Sequence, residues 1–314
     1  MSDDVKVSVQ CITYNHEKYI RKALDGFVMQ KTDFKFEVIV HDDASTDKTA
    51  DIIREYAEKY DFIKPIYQQE NQYSQGIPFT IKYIYPMFKG EYIAFCEGDD
   101  YWTDSNKLQI LYDYMVSHPE CSMCCHAYEN IEANTEKLVA EVHTLTGDGE
   151  ISISKAIKYN NPPQLASQMF RRDCIIDKPT IYNGRGIGDY TVLLYAATKG
   201  ELHYIDRIMA RHRIAADGSW TNTVYKNREL RIKHDKSMIS FLKDFDSFYN
   251  QKYHEYVDLK INDFKMDIAI TDNDFESQRN NPNYKSLSVK RKVIILAGLI
   301  APNLTKYVEG KFMK

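Results

Sequence analysis

The sequence lacks the features that indicate a nucleic-acid-binding, dinucleotide-binding or membrane-spanning protein. Its 314 residues carry a net charge of -4, so no general excess of positive charge is available for a nucleic-acid backbone. No G-x-G-x-x-G motif follows the first apolar segment, which disfavours a dinucleotide-binding fold. The longest apolar run, near residue 295, has about ten residues and is too short to span a bilayer.

The six cysteines do not have the spacing of a zinc site. Cys11 and Cys96 lie in predicted core strands, where free cysteine behaves as a small apolar residue. Cys121, Cys124 and Cys125 are close together, but no second pair of ligands follows at a typical distance. The chain opens on a polar, acidic segment that does not resemble a signal peptide. We therefore expect reduced thiols and a cytoplasmic protein.

Hydrophobic periodicity predicts alternating strands and helices over the first hundred residues. Apolar segments typical of strands begin near Val5, Phe36, Phe62 and Tyr92, and segments with helical spacing lie between them. Asn15 stands where it would cap the first of these helices. This β-α-β order predicts a largely parallel sheet with helices on its faces.

The rest of the chain has a less regular pattern. Strands are predicted over 122–128 and 167–170 and a helix over 189–199, whereas residues 130–160 look loop-like. From about residue 222 the chain is rich in charged and aromatic residues at helical spacing, which predicts a helical extension.

Acidic side chains follow two of the predicted strands at the point where those strands end. Asp42 and Asp43 follow the second strand, and Glu97, Asp99 and Asp100 follow the fourth. Because parallel strands end at the same edge of a sheet, both clusters should face one crevice. Clustered carboxylates repel each other, and Mg²⁺ or Mn²⁺ prefer such oxygen ligands. An acidic turn that merely caps the next helix remains the alternative.

Five segments resemble, in order along the chain, the family 2 glycosyltransferases, which have the GT-A fold. Residues 7–15 resemble the family's first strand and nucleotide loop, and residues 41–47 resemble its V-D-D-G-S-T-D element. Residues 97–100 occupy the place of its D-x-D motif, and residues 188–189 match the position of its catalytic acidic residue. Residues 211–213 are similar to a segment that closes over the donor in some members.

The sequence departs from the family pattern at four of these positions. His41 replaces the usual Val or Ile before the acidic pair, and Ala44 replaces the usual Gly after it. We expect both to be loop variations of small consequence. Glu97 replaces the first Asp of D-x-D, and its longer side chain still reaches a metal or a ribose hydroxyl. Gly188 stands where many members have Glu.

The resemblance implies a role for each candidate residue. Asp189 is the catalytic base, and Asp100 is the ligand of a divalent metal, Mg²⁺ or Mn²⁺. Glu97, His212 and Arg213 are candidates for contacts to the diphosphate or the metal. The residues expected to bind the nucleotide are Thr13, Tyr14, Asn15, Asp43 and Asp99.

The resemblance also predicts the architecture and its division. We expect an α/β fold of the GT-A type, with a mainly parallel sheet flanked by helices and a helical C-terminal extension. Residues 1–221 form the glycosyltransferase domain, in which 1–105 are the nucleotide-binding half and 106–221 the acceptor half. Residues 222–314 form the extension.

The implied reaction is an inverting transfer of a sugar from a nucleoside-diphosphate donor to a hydroxyl. By family tendency the donor is a UDP sugar, and the acceptor is a saccharide or lipid-linked saccharide in polysaccharide or glycolipid synthesis. Two alternatives stay open. A nucleotidyltransferase uses a similar sheet, but the Gly-rich, basic loop typical of that class is missing after the first strand. A non-catalytic sugar-nucleotide-binding module is the other.

The last segment, residues 287–314, is apolar and then basic. Such a segment is typical of a helix that lies on an anionic membrane surface, here on the inner face of the membrane. It is equally typical of a terminal helix that packs on its own domain or on a second copy in a homodimer. Both interpretations stay open at the level of sequence.

Overall fold

The computed structural model describes residues 4–159, 162–182, 188–214, 224 and 227–300. The chain divides into two compact units. One unit consists of residues 1–184 and 188–219, and the other consists of residues 220–314 together with 185–187. Among the described residues, no helix has the length and apolar character needed to cross a bilayer.

The first unit is built on a ten-stranded sheet. The strands are β1 Val5–Thr13, β2 Lys35–Asp42, β3 Ile63–Tyr67, β4 Tyr92–Phe95, β5 Tyr101–Trp102, β6 Cys121–Glu132, β7 Leu138–Val142, β8 Gly149–Ile151, β9 Gln168–Arg171 and β10 Glu201–Ile214. Their order in the sheet is β3-β2-β1-β4-β9-β6-β10-β5, with β7 beside β6 and β8 beside β10.

Six α-helices in the described residues of this unit accompany the sheet. They are α1 Ile20–Val28, α2 Thr49–Lys59, α3 Lys107–Ser117, α4 Ile153–Lys158, α5 Asp173–Ile176 and α6 Gly188–Lys199. The apolar face of α1 belongs to the same core cluster as β1. In this cluster Leu24 and Phe27 of α1 and Val7 and Val9 of β1 are all fully buried. This packing is what the helical spacing of apolar residues after β1 predicts.

The sheet is parallel in its first half and mixed in its second. β1 pairs in parallel with β2 and β4, and β2 pairs in parallel with β3. β9 is antiparallel to both β4 and β6, and β7 returns antiparallel along β6. The expected α/β fold is confirmed, and the parallel part is the part that carries the acidic segments.

Three local expectations were wrong. Residues 130–160 contain β7, β8 and α4 rather than a continuous loop. The helix expected before β4 is realised as a π-helical turn over Thr80–Ile84 followed by a 3₁₀ turn, because Pro86 supplies no N–H for a regular helix. Asn15 does not cap α1, which begins at Ile20.

The six cysteines are free and buried, as expected for small apolar core residues. Cys11 and Cys96 lie in the main core cluster with Trp102. The core also holds a lysine. The Lys107 ammonium lies 3.8 Å from the centre of the Trp102 ring and donates a 2.8 Å hydrogen bond to the carbonyl of Ala166. Burial lowers the pKa of Lys107 to about 7.

The second unit is helical in the described residues. Its helices are α7 Arg228–Phe248, α8 His254–Thr271, α9 Phe275–Asn280 and α10 Val289–Ile300. Asn227 caps α7 by accepting hydrogen bonds from the backbone N–H of Glu229 and Leu230. Phe241 and Phe245 on α7 are fully buried, which agrees with the aromatic residues at helical spacing in this part of the sequence.

Gly90, just before β4, lies very close to the backbone of β1, and its replacement tests this close approach. A Cβ at this position would lie 2.4 Å from the backbone nitrogen of Ser8 and 2.7 Å from the carbonyl carbon of Val7. Because a paired strand backbone cannot move aside, Gly90→Ala should lower the free energy of unfolding by about 1–3 kcal/mol. Urea unfolding measures the change.

Gly188→Ala is the matched control, since a Cβ there meets no described atom within 4 Å. This variant should stay within about 0.5 kcal/mol of the parent chain. Equal stability of the two alanine variants would contradict the close approach of Gly90 to β1.

Candidate active site

Both acidic segments are attached to the end of β1. The backbone N–H of Asp43 donates to the carbonyl of Thr13 at 3.0 Å, and the backbone N–H of Gly98 donates to the carbonyl of Ile12 at 2.9 Å. The two carbonyls belong to the last two residues of one central strand. The structure therefore brings residues 42–43 and 97–100 to one edge of the sheet, where open α/β sheets bind ligands.

Hydrogen bonds join the loop after β1 to the loop after β2. The backbone N–H of Asn15 donates to the Ser45 hydroxyl, and the Asn15 side-chain oxygen accepts from the backbone N–H of Thr46, both at 2.8 Å. The backbone N–H of His16 donates to the Thr49 hydroxyl at 2.8 Å. Asn15 has a φ of 54°, a left-handed conformation that Asn tolerates. Its side chain thus shapes the loop rather than capping α1.

Tyr14 and Thr13 occupy different environments in this loop. The Tyr14 side chain is exposed and leaves a ring face open for stacking. Thr13 is fully buried, and its hydroxyl has no hydrogen-bond partner among the described residues. The assignment of both to the nucleotide stays a prediction.

The carboxylate of Asp43 organises the segment after β3. It accepts hydrogen bonds from the backbone N–H of Gln72 at 2.8 Å and of Tyr73 at 3.0 Å, and Asp43 is buried. These two donors satisfy the charge that burial would otherwise penalise. A contact between Asp43 and a base stays a prediction, and the same geometry places the backbone of residues 72–73 beside this carboxylate.

The two departures around the acidic pair have physical explanations. Ala44 has a φ of 64°, in the left-handed region where glycine, the usual family residue, costs least. The His41 ring stacks on Phe79 with 4.7 Å between ring centres and contacts the Gln68 amide at 3.1 Å. Burial lowers the pKa of His41, so a neutral imidazole replaces the usual aliphatic side chain.

Asp100 is a buried carboxylate held by protein donors. Its Oδ1 accepts from the backbone N–H of Arg213 at 2.8 Å, and its Oδ2 accepts from the Gln164 amide at 3.0 Å. Burial and the charge of Asp99 raise the pKa of Asp100 well above its ordinary value. Each oxygen keeps a second lone pair, so the predicted metal contact stays a prediction.

Arg213 is directed into the protein rather than toward the crevice. Its guanidinium donates to the backbone carbonyl of Asp99, pairs with Glu136 at 2.8 Å and lies 4.6 Å from the centre of the Tyr101 ring. Its side chain is 1% exposed. In this arrangement Arg213 fixes residues 99–101, and the predicted contact between Arg213 and a diphosphate would require its side chain to move.

The charges of Asp99 and Asp189 both act on the side chain of Glu97. Burial, followed by the charges of Asp99 and Asp189, raises the pKa of Glu97 to about 8. Asp189 lies in the first turn of α6, and one of its oxygens accepts from the backbone N–H of Tyr190 at 2.9 Å. The predicted catalytic residue thus lies near enough to the D-x-D segment for its charge to act on Glu97.

Comparison with known proteins decides the family of the chain. The family model described as "Glycosyl transferase family 2" matches residues 8–176, more than half of the sequence. The chain belongs to glycosyl transferase family 2. The match covers β1 to α5 and therefore includes both acidic segments.

Relatives of this glycosyltransferase family 2 chain span several organisms. It is 38% identical over 223 residues to "Uncharacterized protein Rv1520" of Mycobacterium tuberculosis. The aligned region covers 71% of this chain and 62% of the relative. The chain thus spans about three fifths of the length of that relative. It is also 37% identical over 100 residues to the poly(ribitol-phosphate) β-N-acetylglucosaminyltransferase TarS of Staphylococcus aureus, covering 31% of the chain and 17% of the relative.

Solved structures confirm the GT-A type of fold. The structure of S. aureus TarS residues 1–349 in complex with UDP-GlcNAc superimposes with a TM-score of 0.62 at 20% identity, covering 92% of this chain and 78% of that one. The mannosyltransferase PcManGT of Pyrobaculum calidifontis, in complex with GDP-Man and Mn²⁺, superimposes with a TM-score of 0.56 at 16% identity, covering 100% and 89%. At these identities the likeness concerns the fold.

The acidic edge of this family 2 chain is compatible with a divalent cation. Among the described residues, no three His, Cys, Asp or Glu side chains are grouped as a ready metal site. Mg²⁺ sites commonly use only one or two carboxylates, with substrate phosphates as further ligands. No described residue donates a hydrogen bond to the carboxylates of Glu97 and Asp99. Burial, followed by the charges of Asp99 and Asp189, raises the pKa of Glu97, and a bound cation would favour its ionised form.

His16 is a residue of the edge that the sequence analysis did not select. A Cβ on Gly98 would lie 2.9 Å from its Nδ1, which is buried and has no hydrogen-bond partner among the described residues. The charge of Asp99 acts on His16 and also on His212, while burial lowers the pKa of both imidazoles. His212 is held by a 2.9 Å contact to the Asn130 amide oxygen. The one sequence signal for His16 is its position directly after Asn15, in the segment that resembles the family's nucleotide loop.

The raised pKa of Glu97 predicts a pH dependence of stability. Its pKa is about 8 in the folded chain against an ordinary value of 4.5, so the folded state binds this proton more tightly. Stability should therefore fall as the pH rises from about 4.5 to about 8. Glu97→Gln removes this titration and should gain about 4 kcal/mol relative to the parent chain between pH 5 and pH 8.5.

Urea unfolding of both proteins across this pH range measures the difference. Glu91→Gln is a suitable control, because Glu91 is exposed and its ion pair with Lys6 is on the surface. Parallel stability curves for the parent and the Glu97→Gln variant would show that the pKa of Glu97 is not raised in this way.

Proposed function

We propose that the chain is an inverting glycosyltransferase that moves a sugar from a nucleoside-diphosphate donor to an acceptor hydroxyl. The observation that supports this most directly is the placement of residues 42–43 and 97–100 on the last two carbonyls of β1, in a chain of glycosyl transferase family 2. TarS, whose structure was solved with UDP-GlcNAc, supports a UDP sugar as the donor. The acceptor we propose is a saccharide or lipid-linked saccharide in polysaccharide or glycolipid synthesis.

The donor nucleotide is proposed to lie across the end of β1. The exposed ring of Tyr14 offers a stacking surface for the base. Asp43 and the backbone of residues 72–73 border the place where the edge of the base would be read. Asp99 is proposed to accept a hydrogen bond from the ribose. The PcManGT structure carries GDP-Man, so the choice of uracil rests on the TarS comparison and on the family tendency.

Mg²⁺ or Mn²⁺, when bound, would supply a Lewis acid that stabilises the charge growing on the departing diphosphate. Asp100 is proposed to hold the ion, with Glu97 and His212 beside it. Arg213 contributes indirectly, because its hydrogen bond to the carbonyl of Asp99 fixes the backbone that carries these carboxylates. The Mn²⁺ bound to PcManGT supports a divalent cation in this fold.

Asp189 is proposed as the general base. The acceptor oxygen attacks the anomeric carbon from the face opposite the diphosphate, and its proton passes to the carboxylate of Asp189. The position of Asp189 in the first turn of α6 favours the ionised form, because the helix N-terminus carries partial positive charge. The side chain is only partly buried, which leaves a path for an acceptor.

Two other functions stay distinguishable by experiment. A nucleotidyltransferase would release inorganic diphosphate from a nucleoside triphosphate, and a binding module would bind a sugar nucleotide without turnover. Release of a nucleoside diphosphate from a sugar nucleotide, dependent on an acceptor, separates the proposed function from both.

Donor and metal binding predict a shift in the melting temperature. At a free ligand concentration 100 times Kd, binding adds about 2.7 kcal/mol to the free energy of unfolding. We expect a UDP sugar with Mn²⁺ to raise the melting temperature by several degrees, and the sugar nucleotide without metal to raise it less. Asp100→Asn, which keeps an acceptor for the Arg213 N–H, should abolish the effect of the metal.

Asp113→Asn serves as the control, because Asp113 lies on the exposed side of α3 and its carboxylate accepts a hydrogen bond from Gln109 in the same helix. This variant should respond to donor and metal as the parent does. A donor-induced shift that is the same with and without Mn²⁺ in the parent chain would contradict the role proposed for Asp100. The screen should include GDP, CDP and dTDP sugars.

Asp189→Asn tests the catalytic base. Loss of a general base typically lowers the rate by a factor of about 100–10,000. We expect such a loss in kcat, measured as acceptor-dependent release of the nucleoside diphosphate, with little change in the donor-induced shift of melting temperature. The matched control is Asp51→Asn, because Asp51 also lies in the first turn of a helix, α2, and its exposed carboxylate pairs only with Arg54 among the ion pairs of the described residues. Turnover that survives Asp189→Asn unchanged would refute the assignment.

A further inference from the structure

One face of α10 is fixed to its own unit. Ile294, Ile295 and Gly298 are buried, and a Cβ on Gly298 would lie 2.4 Å from the ring of Phe275 in α9. Such close packing of a ring against a glycine sets the rotation of α10 about its axis. The opposite face is therefore held outward.

That opposite face is apolar. Its members, spaced by four, three and four residues along α10, form what we call the α10 stripe. The stripe consists of Val289, Val293, Leu296 and Ile300, which are 77%, 56%, 40% and 83% exposed. Isolated exposed apolar side chains need no explanation, but four on one face of one helix mark a contact surface.

The stripe is bordered by positive charge. At about 100° per residue, Lys290 and Lys292 lie on the two sides of the stripe. Lys290 is exposed, whereas the Lys292 ammonium donates a 2.6 Å hydrogen bond to the carbonyl of Lys285. α10 contains no acidic residue, and residues 284–314 include seven basic residues and one acidic residue in a chain whose net charge is -4. This part of the sequence is therefore strongly cationic, while the remainder of the chain is acidic.

An exposed apolar stripe can contact either a second copy of the chain or a membrane surface, and the positive charge beside the α10 stripe favours the membrane. A second copy of the chain would bring the same cations to the contact and would be repelled. An anionic lipid surface offers the complementary charge and an apolar layer just beneath it. α10 has twelve residues, about 18 Å at 1.5 Å per residue, against a bilayer core of about 30 Å. It can lie along the surface but cannot span it.

We propose that α10 docks the protein on an anionic membrane surface, with the α10 stripe in the interfacial layer and Lys290 among the lipid head groups. This inference rests on the helix alone and goes beyond the proposed transferase activity. If that activity acts on a lipid-linked saccharide, docking would place the enzyme on the surface that carries the acceptor.

Co-sedimentation of the full chain with vesicles tests the proposal. The vesicles contain phosphatidylcholine alone or phosphatidylcholine with phosphatidylglycerol. We expect binding to the anionic vesicles that weakens as salt is raised, and at least about tenfold weaker binding to the neutral ones. Val293→Glu should lower binding to anionic vesicles at least about tenfold, and Lys290→Gln about fivefold.

Val116→Glu is the matched control, because Val116 is a half-exposed valine in a helix of the first unit, 50% exposed against 56% for Val293. It adds the same charge and should leave vesicle binding unchanged. Circular dichroism and thermal melting of Val293→Glu show that the variant is folded. Donor-induced melting shifts separate a failure of docking from a failure of the proposed activity, because they do not involve α10.

Three results would overturn the proposal. The first is that the parent chain fails to sediment with anionic vesicles or binds neutral and anionic vesicles equally. The second is that Val293→Glu and Val116→Glu bind anionic vesicles with the same affinity. The third is a dimer of the parent chain in analytical ultracentrifugation that Val293→Glu abolishes, in which case the stripe is a contact between two copies of the chain.

Discussion

Two backbone hydrogen bonds at the end of β1 position the whole candidate site. The carbonyls of Ile12 and Thr13 accept from Gly98 and Asp43, so two segments about 55 residues apart in sequence leave the sheet side by side. Side-chain contacts then reinforce this placement, since the loop after β1 is joined to the loop after β2 through Asn15. Every role proposed for the edge depends on this arrangement, because separate acids cannot share a cation or a diphosphate.

The acids at this edge fall into two groups with different environments. Asp43 and Asp100 each accept two hydrogen bonds from the protein, and their carboxylates therefore hold neighbouring segments in place. Glu97 and Asp99 receive no such donor from the described residues, and the pKa of Glu97 is raised as a result of burial and of the neighbouring charges. Burial and the charge of Asp99 raise the pKa of both Glu97 and Asp100, and a bound divalent cation would favour the ionised form of each.

Much of the first hundred residues could be predicted from local patterns. Short apolar segments predicted the positions of β1 to β4. Because parallel strands end at the same edge of a sheet, the acidic residues that follow β2 and β4 predicted where the site lies. The roles of single polar residues were harder to predict. Asn15 is a residue type that often caps helices, but here its side chain joins two loops. Arg213 is predicted to contact the diphosphate, but its guanidinium is buried against the Tyr101 ring. Local propensity carries no information on which distant segment will supply a partner.

The sequence by itself determined the family, the alternation of strands and helices in the parallel half, and the identity of the acids at the ends of the strands. These properties follow from hydrophobic periodicity and from motifs that are local in the chain. Only the tertiary structure decided which acids are satisfied by protein donors, that His16 approaches Gly98 and Asp99, and that α10 has one buried and one exposed apolar face. Each depends on contacts between residues far apart in sequence, and burial, charge and hydrogen bonding at such contacts exist only once the chain has folded.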